Sequence, residues 1–371
     1  MEPEMELVWE NRLPRTYGVF VWLLVFSGSV VFAEPALYDL LFIALFLIGV
    51  LTSRLSFPKH TVLPAFLLLA FIEANLVSMF FAEADPYLAA KYFLITFYLA
   101  LSWVFYCGFL NKYKRHALDL LLSGYLTSAL FASAIGILAY LRVIPDFGLL
   151  IRFSGRLTGF FKDPNTFGSF LVPPVLLALS RMEGETRPAR KTAWLGAFAL
   201  LSAAVFLTFS RAAWGNFAVA LATYFALPSG ANTARRFQTL LIILMVVVPA
   251  ALGLLSIPEV RALSVGRLGL QRYDLSRFAT YRQAFLLSWS NPLGLGPAQS
   301  DIALGMSPHN LYLLVLLECG IVGALTAMWL IAGSVWRSFS AVFSRNGALA
   351  PYSAAIAASL LGLLSTRGQL T

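Results

Sequence analysis

Apolar residues fall into about eleven runs, each compatible with crossing a hydrocarbon core roughly 30 Å thick. They lie near 17–33, 36–52, 62–82, 88–110, 117–141, 166–180, 192–209, 212–228, 238–256, 310–333 and 350–364. The runs are too long for barrel strands, which cross in roughly 10 residues with alternating polarity. The pattern predicts an all-α polytopic membrane protein of about eleven transmembrane helices, twelve in a longer parent. The sixth run is short and holds Pro173-Pro174, so a kinked or half-length helix is expected there. No internal repeat stands out, and residues 1–371 read as one transmembrane domain.

The polar breaks sort by charge. Arg12 and Arg15 precede the first run, Arg54 and Lys59 follow the second, and Lys112, Lys114 and Arg115 follow the fourth. Arg181, Arg187, Arg190 and Lys191 follow the sixth, Arg235 and Arg236 the eighth, Arg337 and Arg345 the tenth. Every second loop is basic, which makes these loops and the amino terminus cytoplasmic. The short loops between them, Ala33–Ala36 and Ala82–Tyr87, carry Glu34, Glu83 and Asp85 and no Lys or Arg. Val31-Phe32-Ala33 before Glu34 has a faint look of a signal-peptide cleavage site, but Glu2, Glu4 and Glu6 ahead of Arg12 favour a retained first helix.

Composition sharpens the class. Hydrophobic residues make up 59% and charged residues 12%, with a mean hydropathy of +0.77; a soluble domain runs nearer about 25% charged. The net charge of +9 sits in loops, where it acts as topology signal and meets anionic membrane lipids rather than nucleic acid. Cys107 and Cys319 lie inside apolar runs, and no disulfide is expected between them.

Two loops on the external side are long and basic: 142–165, and a large one at 257–309 that is expected to carry short amphipathic helices. Short translocated loops normally shed Lys and Arg, so these charges need another reason. Arg156, Arg211, Arg277 and His309 all fall on this face, at the mouths of apolar runs or in the long loops. Three guanidiniums and an imidazole where water meets lipid suit an anionic, lipid-carried substrate.

Five segments carry a resemblance. They are R-L-T-G-F-F-K-D-P-N at 156–165, S-R-A-A-W at 210–214, R-F-A-T-Y at 277–281, N-P-L-G-L-G-P at 291–297 and H-N-L-Y-L-L-V-L-L-E-C-G at 309–320. In that order, from about 150 to 330, the chain resembles the O-antigen ligase and O-antigen polymerase superfamily of bacterial envelope glycosyltransferases. The resemblance implies a multi-pass protein of the bacterial inner membrane with its active site facing the periplasm. It implies transfer of a glycan from an undecaprenyl-diphosphate-linked donor to an acceptor hydroxyl, with no cofactor and no metal. The activity-linked residues of the family map onto Arg211, Arg277 and His309. Tyr281 stands where the family commonly has Trp, which leaves Arg277 open against Arg282 or Arg272.

The chemistry fits those residue types. Breaking a sugar–diphosphate bond develops negative charge on the leaving group, and Arg stays charged while forking two donors onto phosphate oxygens. The external acids Asp146, Asp163, Glu259, Asp274 and Asp301 form no D-x-D pair, which favours a metal-free mechanism. Ser307-Pro308-His309-Asn310 reads as a helix start, with Ser as cap and Pro at the first position. The helix dipole there favours a neutral imidazole, able to act as general base; the bland alternative is a polar residue at a helix end. Arg156, Lys91, Arg282 and Asn310 are candidate substrate contacts, although Lys91 could equally snorkel to the interface. Asn165 reads as structural.

Glu318, nine residues beyond His309, is out of phase with it and is expected to contact another helix or a basic loop group. Residues 291–297 lack the Lys-Ser/Thr and preceding strand of a phosphate loop and read as a turn closing the large loop. Phe278, Tyr281, Phe285 and Trp289 recur at helical spacing and suggest an interfacial helix, or core packing against the bundle. A rival class is a transporter such as a lipid-linked glycan flippase. Transporters keep ionisable groups near the midplane, and here those are few (Glu73, beside the polar Asn75, and Glu318) while the charges crowd one face. The acceptor stays open: another glycan, lipid A-core or a protein hydroxyl, the last being a protein O-oligosaccharyltransferase.

Overall fold

The computed structural model describes residues 13–33, 35–153, 155–227, 233–268, 272–306, 308, 310–344 and 353–366. The chain opens with α1 (Arg15–Ser27), α2 (Leu37–Leu51) and α3 (Val62–Met79), followed by α4 (Pro86–Tyr140). Lys114, at φ 49° and ψ −120°, breaks α4 into two arms. Tyr17 of α1 packs edge-on against Phe109 of the first arm, and the neighbouring Gly18 abuts Leu120 of the second. The arms therefore fold back on each other, as the fourth and fifth apolar runs require. A two-stranded hairpin, β1 (Ile151–Arg152) and β2 (Arg156–Leu157), follows with antiparallel pairing of Arg152 to Arg156.

Next come α5 (Pro164–Gly184), α6 (Pro188–Leu207), α7 (Arg211–Ala226) and α8 (Thr233–Leu255). The large loop contains α9 (Pro258–Leu268), α10 (Arg272–Ser290) and α11 (Ser300–Leu304) before α12 (Leu311–Ser344) and α13 (Ser353–Thr366). Every apolar run has its helix, and the large loop holds the expected short helices. Among the described residues, four helices are long and apolar enough to cross a membrane, and the fold is an all-α membrane protein. Cys107 and Cys319 are both free thiols.

Two cores hold the bundle. One joins Val21 and Leu24 of α1, Phe42 of α2, and Phe105 and Phe109 of α4. The larger one gathers Leu171, Val175, Phe198, Leu201, Tyr224 and Ala357 from α5, α6, α7 and α13. Gly168 lets α5 approach α7 so closely that an added Cβ would sit 2.5 Å from the Ala213 Cβ.

The expected shortening at Pro173-Pro174 does not occur: α5 runs unbroken through both prolines. Pro174 lacks the N–H that would bond the carbonyl four residues back. That carbonyl, of Phe170, instead accepts from the Tyr125 hydroxyl at 2.6 Å. A neighbouring helix thus supplies the missing donor. Tyr125→Phe should lower stability by about 1 kcal/mol, seen as an earlier thermal transition in detergent; an unchanged transition would mean the helix tolerates the prolines unaided.

The other departure is in α12, where Gly320 (φ 70°, ψ −170°) interrupts the helix, roughly 13 Å along the axis from Leu311. The 291–297 turn enters this break. Leu295 N donates to Leu317 O at 2.9 Å and Gly296 N to Glu318 O at 3.1 Å, while Ile321 N donates to Pro292 O at 2.9 Å. The expected turn is there, and it wedges into the break in α12. Irregular backbone is tolerated at that depth because both sides satisfy each other's hydrogen bonds.

Candidate active site

Chain alternation through the antiparallel helices brings the α1–α2 loop, the 82–85 loop, the β1–β2 hairpin and the α6–α7 turn to one end of the bundle. Val31 N donates to Phe160 O at 3.1 Å, joining two of these loops. Asp85 N and Gln299 Oε1, and Gln299 Nε2 and Asp85 O, pair at 3.0 Å each and join two more segments.

Arg211 is the first residue of α7. As the sequence suggests, Ser210 caps that helix, its hydroxyl accepting from Ala213 N at 3.2 Å. The turn before it is tight: Phe209 is fully buried with φ at 48°, a region that non-glycine residues enter only under constraint. Trp214 stacks on Phe206 at 5.4 Å, meets the Phe209 ring edge-on at 6.3 Å and donates from its indole to Phe206 O. The half-buried Arg211 guanidinium thus leaves a rigid helix N-terminus, where the backbone itself favours anions.

Arg156 on β2 is only 7% exposed. Its Nε donates to Thr208 O at 2.9 Å and its Nη2 to Asn165 Oδ1 at 2.9 Å. One guanidinium therefore ties the hairpin, the start of α5 and the α6–α7 turn together. Asn165 is structural, as expected, through this bond. Asp163 caps α5, accepting from Asn165 N and Thr166 N.

The helix start near His309 differs from expectation. α12 begins at Leu311, and its cap is Asn310, whose Oδ1 accepts from Tyr312 N at 3.0 Å and Leu313 N at 3.2 Å. Asn310 is thus engaged by the helix, and His309 precedes the cap instead of sitting in the first turn. Asx side chains cap better when they directly abut the first helical residue, and Asn310 does so. Ser307 and His309 lie outside the described residues. Arg277 and Arg272 belong to α10, with side chains outside the described set.

Arg282 is exposed on α10 and Lys91 is exposed near the start of α4; no described contact joins either to the Arg156 cluster. On α10 the small residues Thr280, Ala284 and Ser288 are buried, whereas Phe285 and Trp289 are 46% and 67% exposed. Phe285 and Trp289 therefore face outward, as an interfacial helix would place them, whereas Tyr281 is half-buried and the Phe278 side chain lies outside the described residues. Among the described residues, no group of three His, Cys, Asp or Glu is placed to hold a metal ion.

Glu318 does not meet a basic group among its described contacts. Its Oε1 accepts from the Ser300 hydroxyl and, at 3.4 Å, from Ser300 N. Next to it, Cys319 accepts from Asn75 Nδ2 of α3 at 2.9 Å. Sequence reasoning missed this arrangement, although two signals were present: the paired glycines of N-P-L-G-L-G-P and the E-C-G inside an apolar helix.

These features define a multi-pass membrane protein with cationic groups set at one end of its bundle. Residues 196–328, about a third of the chain, match the family model described as O-antigen ligase. The match runs from α6 through the break in α12, and so includes Arg211, Arg277, the 291–297 turn and His309. No curated protein matches the chain.

Proposed function

We propose that this protein transfers an oligo- or polysaccharide from undecaprenyl diphosphate to an acceptor hydroxyl at the external face of the bacterial inner membrane. The whole chain works as one transmembrane unit, with 142–165 and 257–309 as its external loops. The observation that carries the reading is the placement of Arg211 at a capped, constrained helix N-terminus inside the segment that matches the O-antigen ligase family. His309 takes the acceptor's hydroxyl proton, the acceptor oxygen bonds the anomeric carbon, and the bond from that carbon to the diphosphate breaks. The diphosphate leaves with the electron pair, and Arg211 and Arg277 neutralise its developing charge. Arg156, a candidate donor contact, also braces the turn beneath Arg211 through two of its five N–H donors, to Thr208 and Asn165. Lys91, Arg282 and Asn310 line the approach of the donor. Ligase or polymerase action on lipid A-core or glycan is favoured over protein glycosylation.

The test is carrier turnover by purified protein in detergent with a lipid-linked glycan and an acceptor. Release of undecaprenyl diphosphate, undiminished by EDTA, is expected. Loss of turnover in EDTA that Mg²⁺ restores would overturn the metal-free mechanism, and transport without carrier release would make the protein a flippase.

A further inference from the structure

A carboxylate inside an apolar helix is costly unless it is hydrogen-bonded, and Glu318 takes its bonds from the start of α11, from the Ser300 hydroxyl and N–H and from the Ala298 N–H just before it. Ser300 is fully buried and opens α11. Just before it, Gln299 is 3% exposed and pairs twice with the Asp85 backbone. Gly296 is pressed against the end of α3 and the turn after it, where an added Cβ would lie 3.2 Å from Ser78 O and 2.8 Å from the Ala82 Cβ. From Ser300 the chain passes through α11 and the left-handed Gly305 to Asn310, which caps α12. Both anchors of stretch 300–310 thus belong to α12, at Glu318 and at Leu311, roughly 10 Å apart along its axis. The two described ends of the stretch rest on the same helix. His309 is the residue before the capping anchor.

We propose that Glu318 is a positioning residue for His309, acting through Ser300 to fix the loop that carries the histidine. This rests on the assignment of His309 as the base. The carboxylate holds α11 in place by accepting both the hydroxyl and the backbone N–H of Ser300, so the loop has one seating on the helix end. Released, α11 can shift, and a shift of about 1 Å in a catalytic group can cost about 100-fold in rate.

The experiment compares Glu318→Ala, Glu318→Gln, Ser300→Ala and His309→Ala in the purified protein, reading kcat and donor KM separately along with the thermal transition. Glu318→Ala and Ser300→Ala should lower kcat about 10- to 100-fold with donor KM near wild type. Glu318→Gln keeps an accepting oxygen and should recover most of the loss. A purely structural role predicts instead that kcat follows the folded fraction and that Gln rescues nothing; that result overturns the proposal. Wild-type kcat in both Glu318→Ala and Ser300→Ala also overturns it. Ser300→Ala removes one small group and keeps the test readable if Glu318→Ala does not fold. If His309→Ala itself transfers at the wild-type rate, the base assignment fails; if His309→Ala is dead while the Glu318 and Ser300 variants are normal, only the positioning proposal fails.

Discussion

Arg211→Lys should transfer about 100- to 1,000-fold more slowly than wild type, even though the positive charge is kept. The reason is geometric. Ser210 caps α7 and Phe209 locks the preceding turn, so the side chain at 211 starts from a fixed point. A planar fork from that point can meet two diphosphate oxygens at once, whereas an ammonium meets them one at a time. His309→Ala should abolish transfer while leaving donor binding nearly intact, because a base touches the acceptor proton and not the diphosphate. Radiolabelled donor binding, measured beside turnover, separates the two effects. Near-wild-type transfer by Arg211→Lys would remove the fork from the mechanism. Should His309→Ala transfer normally, the base has to come from elsewhere; Asp163 is committed to capping α5, which leaves Asp274 and Asp301.

The second large effect concerns folding. Gly294 has φ +91°, and a Cβ there would lie 2.3 Å from Glu318 O. Gly294→Ala therefore cannot keep the wedge in place. Withdrawal leaves Leu317 O and Glu318 O without their amide donors at membrane depth, a cost of several kcal/mol. We expect a stability loss of about 3 kcal/mol or more, with little folded protein recovered. Gly305→Ala is the matched control: φ is +69° but nothing lies within 4 Å, so about 1 kcal/mol should be lost. Equal transitions for the two variants in a detergent melt would show that crowding at Gly294 is relieved by movement of the turn.

Hydropathy made the helices legible, because crossing a bilayer demands long apolar runs whatever the tertiary contacts. It could not show that Tyr125 repairs α5 at Pro174, since that donor comes from a residue 45 positions away from the Phe170 carbonyl it serves. Charge placement pointed to Arg156 and Arg211 separately; only the fold reveals that one braces the turn that carries the other. The cap of α12 was misplaced because Ser307-Pro308 satisfies the local rule for a helix start as well as Asn310 does. The break in α12 left no hydropathy signal at all, because Glu318 and Gly320 interrupt an otherwise continuous apolar sequence by so little.

The wedge also limits where this chain can change length. Stretch 291–310 is anchored at Pro292, Leu295, Gly296, Gln299, Ser300 and Asn310, so one added residue there would throw every later anchor out of register. Loop exchanges meant to alter what the protein accepts therefore have to keep the length of 291–310.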